Sequence, residues 1–164
     1  MSPFIQLASA AVARRRIPVL ERDTAAIRTD TVYVVFTSID GTLAAIRVAG
    51  GFAKALGVPV TVIHVRTVPY ALPVDAPCGT SPVDTETFIE RLRAEDLDMR
   101  VHVCLCRDEH QAIPLVFKRH SLIVVAGRRR WWPTDSDRWR RMLGAAGHFV
   151  VFVDTSDYKE TTHG

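Results

Sequence analysis

The chain has 164 residues, of which 48% are hydrophobic and 24% charged. That length and balance fit one globular domain with an adequate core and exclude a disordered chain. Three cysteines, an odd number, argue against a secreted disulfide scaffold, and no apolar run reaches the roughly 18 residues of a membrane span. The net charge of +3 is local. Six arginines between Arg128 and Arg141 (Arg128, Arg129, Arg130, Arg138, Arg140, Arg141) oppose only Asp135 and Asp137. This segment carries an excess of four positive charges and leaves the rest of the chain one negative. A nucleic-acid binder that used its whole surface would spread such charge along a face or stripe.

Residues 1–30 read as an N-terminal arm. Phe4, Ile5, Ala8, Ala11 and Val12 recur at helical spacing and predict a helix, which Pro18 ends. Arg14, Arg15 and Arg16 follow the apolar stretch, the reverse of the order in a secretory signal. From Thr31 the pattern changes to alternating strands and helices. Thr31–Thr37 is β-branched and aromatic throughout, as in a strand buried on both faces. Leu43, Ile46, Ala49, Ala53 and Leu56 then mark a helix stopped by Gly57. Gly50 and Gly51 inside it predict a close approach to the sheet. Val58–Val65 is a second buried strand.

A proline-rich loop with Pro69, Pro73, Pro77 and Pro82 leads to a helix that opens at Ser81-Pro82-Val83-Asp84 and runs to about Asp96. Arg100–Cys106 is a third strand, nearer an edge because it alternates more. Asp108 caps a helix ending near His120, with Pro114 kinking it or confining its first turn. Ser121–Ala126 is the fourth strand. Thr134 caps a helix whose inner face is Trp139, Met142, Leu143 and Ala146, and Phe149–Val153 is the fifth strand. The expected fold is a single α/β domain over residues 31–154, with a five-stranded, mainly parallel sheet, helices on both faces and right-handed crossovers. Residues 155–164 read as a flexible tail.

Three passages carry a resemblance. Val60-Thr61-Val62-Ile63-His64-Val65, His120-Ser121-Leu122-Ile123-Val124-Val125-Ala126-Gly127 and Phe149-Val150-Val151-Phe152-Val153 stand in the order and spacing of strands in the universal stress protein family. The stretch from Thr31 to Asp154 resembles that family, whose domain is Rossmann-like. The resemblance implies a stress-response role and a homodimer paired through Phe149, Val150, Val151, Phe152 and Val153; the cysteine count points to a reducing cytoplasm. It also implies a ligand crevice at the carboxyl ends of strands one and four, where the strand order reverses. The matching positions are Thr37, Ser38, Val65, Gly127, Arg128, Arg129 and Arg130.

Many family members bind ATP, but the motif is degenerate here. An aspartate ends strand one in those members, and Thr37 takes its place. In the phosphate motif G-x2-G-x9-G-[ST], Gly127 matches the first glycine, Arg130 replaces the second and Arg140 replaces the third. Asp135 and Asp137 already occupy the positive end of the following helix. No cofactor is expected, and ATP is disfavoured. The reading is a non-catalytic module acting through protein contacts. The alternative is a sensor of ATP, AMP or another small anion, held by Arg128, Arg129 and Arg130 beside Gly127, Thr37 and Ser38.

Other chemistry weighs less. Arg128-Arg129-Arg130-Trp131-Trp132 interleaves charge with aromatics, the combination that binds single-stranded nucleic acid. The plainer reading has the tryptophans plugging the end of the sheet; with one small basic segment and no second patch, nucleic acid is not expected. His102, Cys104 and Cys106 share a strand face but lack a second ligand pair at zinc spacing, so no metal is expected. Cys78 lies in the proline-rich loop with no neighbouring base. Ser38, His110 and Asp40 can be written as a triad, though no spacing demands it. The chain is expected not to be an enzyme.

Overall fold

The computed structural model describes residues 29–71, 82–93 and 97–156, together with strand 5–8; at 5–8, 82–86 and 93 it describes the backbone alone. The predicted alternation is present. Strands β2 (Val32–Val35), β3 (Val60–Thr67), β4 (Met99–Cys106), β5 (Leu122–Gly127) and β6 (Phe149–Asp154) are all parallel, and β1 (Ile5–Ala8) joins antiparallel to β4. The order across the sheet is β1-β4-β3-β2-β5-β6. Helices α1 (Ile39–Leu56), α2 (Pro82–Arg93), α3 (Glu109–Val116) and α4 (Asp135–Ala145) make the crossovers.

The two-residue period of β2 explains the layering. Val32 and Val34 face a core built with Leu43, Ile46 and Ala49 of α1 and with Phe88 and Leu92 of α2. Tyr33 and Val35 face the opposite core, made by Ile113 and Phe117 at α3 and by Trp139, Met142 and Leu143 of α4. Every residue of β2 is therefore buried, which is why the strand reads as an unbroken apolar run.

The caps match their sequence signals. Gly57 ends α1 with φ 68°, and its N–H reaches the carbonyls of Ala53 and Lys54. Asp108 accepts a 2.9 Å hydrogen bond from the His110 N–H at the start of α3. Thr134 and Asp137 form a reciprocal capping box at α4.

Four expectations need correction. Ile5–Ala8 is a strand and not a helical turn, because β4 offers an unpaired edge whose backbone groups four extended residues can satisfy. The close approach at Gly50 is to Leu97, whose Cδ1 would lie 3.0 Å from an added Cβ, while Gly51 faces open space. Helix α3 continues past Pro114 and ends at Val116, short of His120, where Phe117 turns to extended backbone while its N–H still reaches the Ile113 carbonyl. Ala146 is exposed, being the C-cap of α4 and past its buried face. The Ser81 cap, Cys78 and the tail from residue 157 lie outside the described residues.

Candidate ligand crevice

From β2 the chain winds outward through β3 to β4, then returns through α3 to lay β5 on the other side of β2. The strand order thus reverses between β2 and β5, and a crevice opens outside their carboxyl ends. Thr37 and Gly127 stand on its two sides. The Thr37 hydroxyl donates a 2.9 Å hydrogen bond across it to the Ala126 carbonyl, and the Thr37 N–H donates to Thr42 Oγ1 at 3.3 Å. Ser38 caps α1, its Oγ accepting from the Gly41 N–H at 3.1 Å. The two hydroxyls expected to wall the crevice are thus tied into the fold around it.

Gly127 has a structural user. A Cβ placed on it would lie 1.9 Å from Ser136 Oγ and 2.5 Å from Ser136 Cβ. Ser136 is buried in the first turn of α4, and its hydroxyl lies 2.8 Å from Thr134 Oγ1. The space that a glycine leaves for a phosphate in anion-binding loops is filled here by the chain's own serine. Asp137 Oδ2 accepts from the Thr134 N–H at 3.1 Å and from the Thr134 hydroxyl at 2.9 Å, and these bonds hold its carboxyl below the usual aspartate value. An anion approaching the start of α4 meets that carboxylate and Asp135.

Beyond Gly127 the three arginines diverge. Arg129 turns toward β6, its N–H 3.4 Å from Asp154 Oδ1 and its Nε 3.7 Å from Oδ2. Arg130 lies over the Trp132 ring, 5.5 Å from the centroid. Arg128 is exposed and has no ion pair among the described residues. Val65 stands apart from them: its side chain packs beside Val116 on the buried cluster of Cys104, Cys106 and Ala112. Both cysteines are free thiols, with Cys106 pushed up to about 11, first by burial.

The Ser38, Asp40 and His110 grouping is not assembled. Ser38 and Asp40 belong to α1, which packs on one sheet face, whereas His110 opens α3 on the other. Asp40 pairs instead with Arg91 at 2.9 Å. Among the described residues no cluster of three metal-ligating side chains forms.

Three features at this end had no linear signal. His64 stacks on Phe36 with ring centroids 4.2 Å apart, and burial, followed by the charge of Arg66, pushes its imidazole down to about 4. Arg107 bonds the Val68 carbonyl at 3.1 Å, also reaches the Pro69 carbonyl, and lies 5.3 Å over the Tyr70 ring. Trp131 and Trp132, which the sequence leaves open between plugging the sheet and lying at the surface, are exposed; Trp139 is the buried tryptophan.

No family model and no curated protein matches the chain. A solved structure, that of a universal stress protein from Archaeoglobus fulgidus, is similar over 77% of this chain and 94% of its own, with a TM-score of 0.52 at 19% identity. At that identity the likeness speaks for architecture: the chain has a universal-stress-protein-like α/β fold.

Proposed function

We propose that the chain is a non-catalytic module of the universal stress protein type, acting in stress response or signalling through protein contacts, with a degenerate nucleotide site. The observation that carries this reading is Ser136 in the space beside Gly127, backed by a capping box that already serves the helix start. Two buried, unbonded cysteines fit a reducing cytoplasm, and no helix among the described residues is long and apolar enough to cross a membrane.

Thermal unfolding tests the nucleotide part. A ligand at a hundred times its dissociation constant adds about 2.7 kcal/mol of stability. Millimolar Mg-ATP and AMP are expected to leave the midpoint where a phosphate control leaves it. A rise with the nucleotides alone would restore a nucleotide sensor, the second reading, which the unpaired Arg128 favours.

The expected partner is a second copy, paired through β6. Phe149 and Thr155 donate their N–H groups to the carbonyls of Ser121, just before β5, and of Gly127 at its end, and strand alternation sends those of Val151 and Val153 the same way. Val150 and Phe152 therefore present their backbone groups to the open edge. Light scattering should give about twice the 18.3 kDa of one chain. Val150→Pro, which removes an outward N–H and no β5 bond, should return it to one chain. A wild-type mass of one chain at high concentration would sink the pairing.

A further inference from the structure

Five large hydrophobic side chains are exposed among the described residues, and three of them crowd one end of the sheet: Tyr70 at 83%, Trp131 at 91% and Trp132 at 47%. They follow β3 and β5, on either side of the crevice. Tyr70 carries the Arg107 guanidinium at 5.3 Å and Trp132 carries that of Arg130 at 5.5 Å. Trp131 meets Trp132 edge-on, with centroids 5.0 Å apart and planes inclined at 62°. Among the described residues these rings lie outside the buried cores, and exposed aromatics grouped with charge mark a surface that a partner covers.

The charge decides which partner. Of the nearby carboxylates, Asp154 pairs with Arg129, and Glu109 and Asp135 with Arg138, while Asp137 keeps its charge at the start of α4. Arg128 and Arg130 have no carboxylate partner among the described residues, so the rim is left ready for an anion. The loops after β3 and β5 are separated by one strand, a spacing of about 10 Å across the sheet. Two arginine–aromatic pairs at that separation suit a chain that repeats a flat base and a negative phosphate. A bilayer would want one continuous apolar tip, yet the rim between the rings is polar, with Thr37 and Ser38 at the crevice. The expectation against nucleic acid rested on one small basic segment and a missing second patch; the tryptophans beside that segment are exposed, and Arg107 with Tyr70 supplies the second patch.

We infer that the carboxyl-end rim binds single-stranded nucleic acid, with bases stacking on Trp131, Trp132 and Tyr70 and phosphates pairing with Arg128 and Arg130. Stacking of this kind tolerates any sequence, because every base has a flat face. A paired duplex hides those faces and should bind weakly.

The test is fluorescence anisotropy of the full chain with a labelled uridine twelve-mer at low salt. Binding should weaken at least tenfold in Trp131→Ala/Trp132→Ala. Arg128→Ala/Arg130→Ala should lower the slope of log affinity against log salt by about 1.4, since each phosphate contact on a single strand contributes about 0.7. All four side chains are exposed, and circular dichroism checks the fold; Tyr70→Ala supplies an independent loss should the tryptophan pair prove necessary for folding. The inference is overturned by absence of binding, or by binding that the aromatic and arginine variants leave unchanged. Uridine monophosphate competing as well as the oligomer would replace it with a mononucleotide site. Displacement of the oligomer by phosphatidylserine vesicles would replace it with a lipid surface.

Discussion

Gly127→Ala is expected to lower the melting midpoint by about 2–12 °C. One methyl at this position would sit 1.9 Å from Ser136 Oγ, far inside contact distance, and Ser136 is 4% exposed with no open space to move into. Relief requires the first turn of α4 to lift from β5, which loosens the Thr134–Asp137 cap and the seat of Trp139. Overpacking a core contact costs about 1–3 kcal/mol, and in a domain of this size each kcal/mol moves the midpoint by about 2–4 °C. Ser136→Gly removes the clashing hydroxymethyl group. It should destabilise on its own, through the lost contact with Thr134, yet recover most of the stability lost in Gly127→Ala. A double-mutant cycle reads this as coupling. Strictly additive effects of the two changes would mean that α4 does not rest on Gly127.

Acid should weaken the fold through His64. Its imidazole titrates near 4 in the folded chain against 6.5 in an exposed histidine, mainly because it is buried and secondarily because Arg66 is near. A depressed folded value means that the unfolded chain takes up the proton first. The contribution is thus complete above pH 6.5 and is lost as the pH falls from 6.5 toward 4, where the folded form protonates as well. The difference between 6.5 and about 4 is worth on the order of 3 kcal/mol. Burial also depresses His102 and His148, which act in the same direction. Denaturant unfolding at pH 7, 6 and 5 should show the decline, and His64→Phe, which keeps a ring against Phe36, should remove its largest part. An unchanged pH profile in that variant would place the acid sensitivity elsewhere.

These residues show what a linear reading can reach. The helix stop at Gly57, the caps at Asp108 and Thr134, and the apolar runs of β2 and β5 are local signals, and each appears in place. Such features depend on neighbours within a few positions. The contact of Gly127 with Ser136 instead depends on how closely α4 lies on β5, a tertiary distance that no spacing encodes. The two loop tryptophans carry the same difficulty: helical spacing puts Trp139 on the inner face of α4, but no periodicity says whether Trp131 and Trp132, in the loop before it, are buried or exposed. The arm was misread because alanine-rich spacing favours a helix, whereas an open edge on β4, formed only once the sheet exists, favours a strand. At the crevice, Thr37 and Gly127 stand on its two sides while Val65 packs apart, and the bonds of Thr37 to Ala126 and of Ser38 to Gly41 depend on the folded chain.

The short strand β1 has a consequence for how copies of this chain can meet. By occupying the outer side of β4 it becomes the margin itself, so the described strands end in β1 on one side and β6 on the other. Four residues of the arm thus replace the eight-residue margin of β4 with a margin half as long. Short edge strands are one way in which a sheet resists adding further copies. Deleting these residues would bare the whole length of β4 and give a second chain a longer ladder to join.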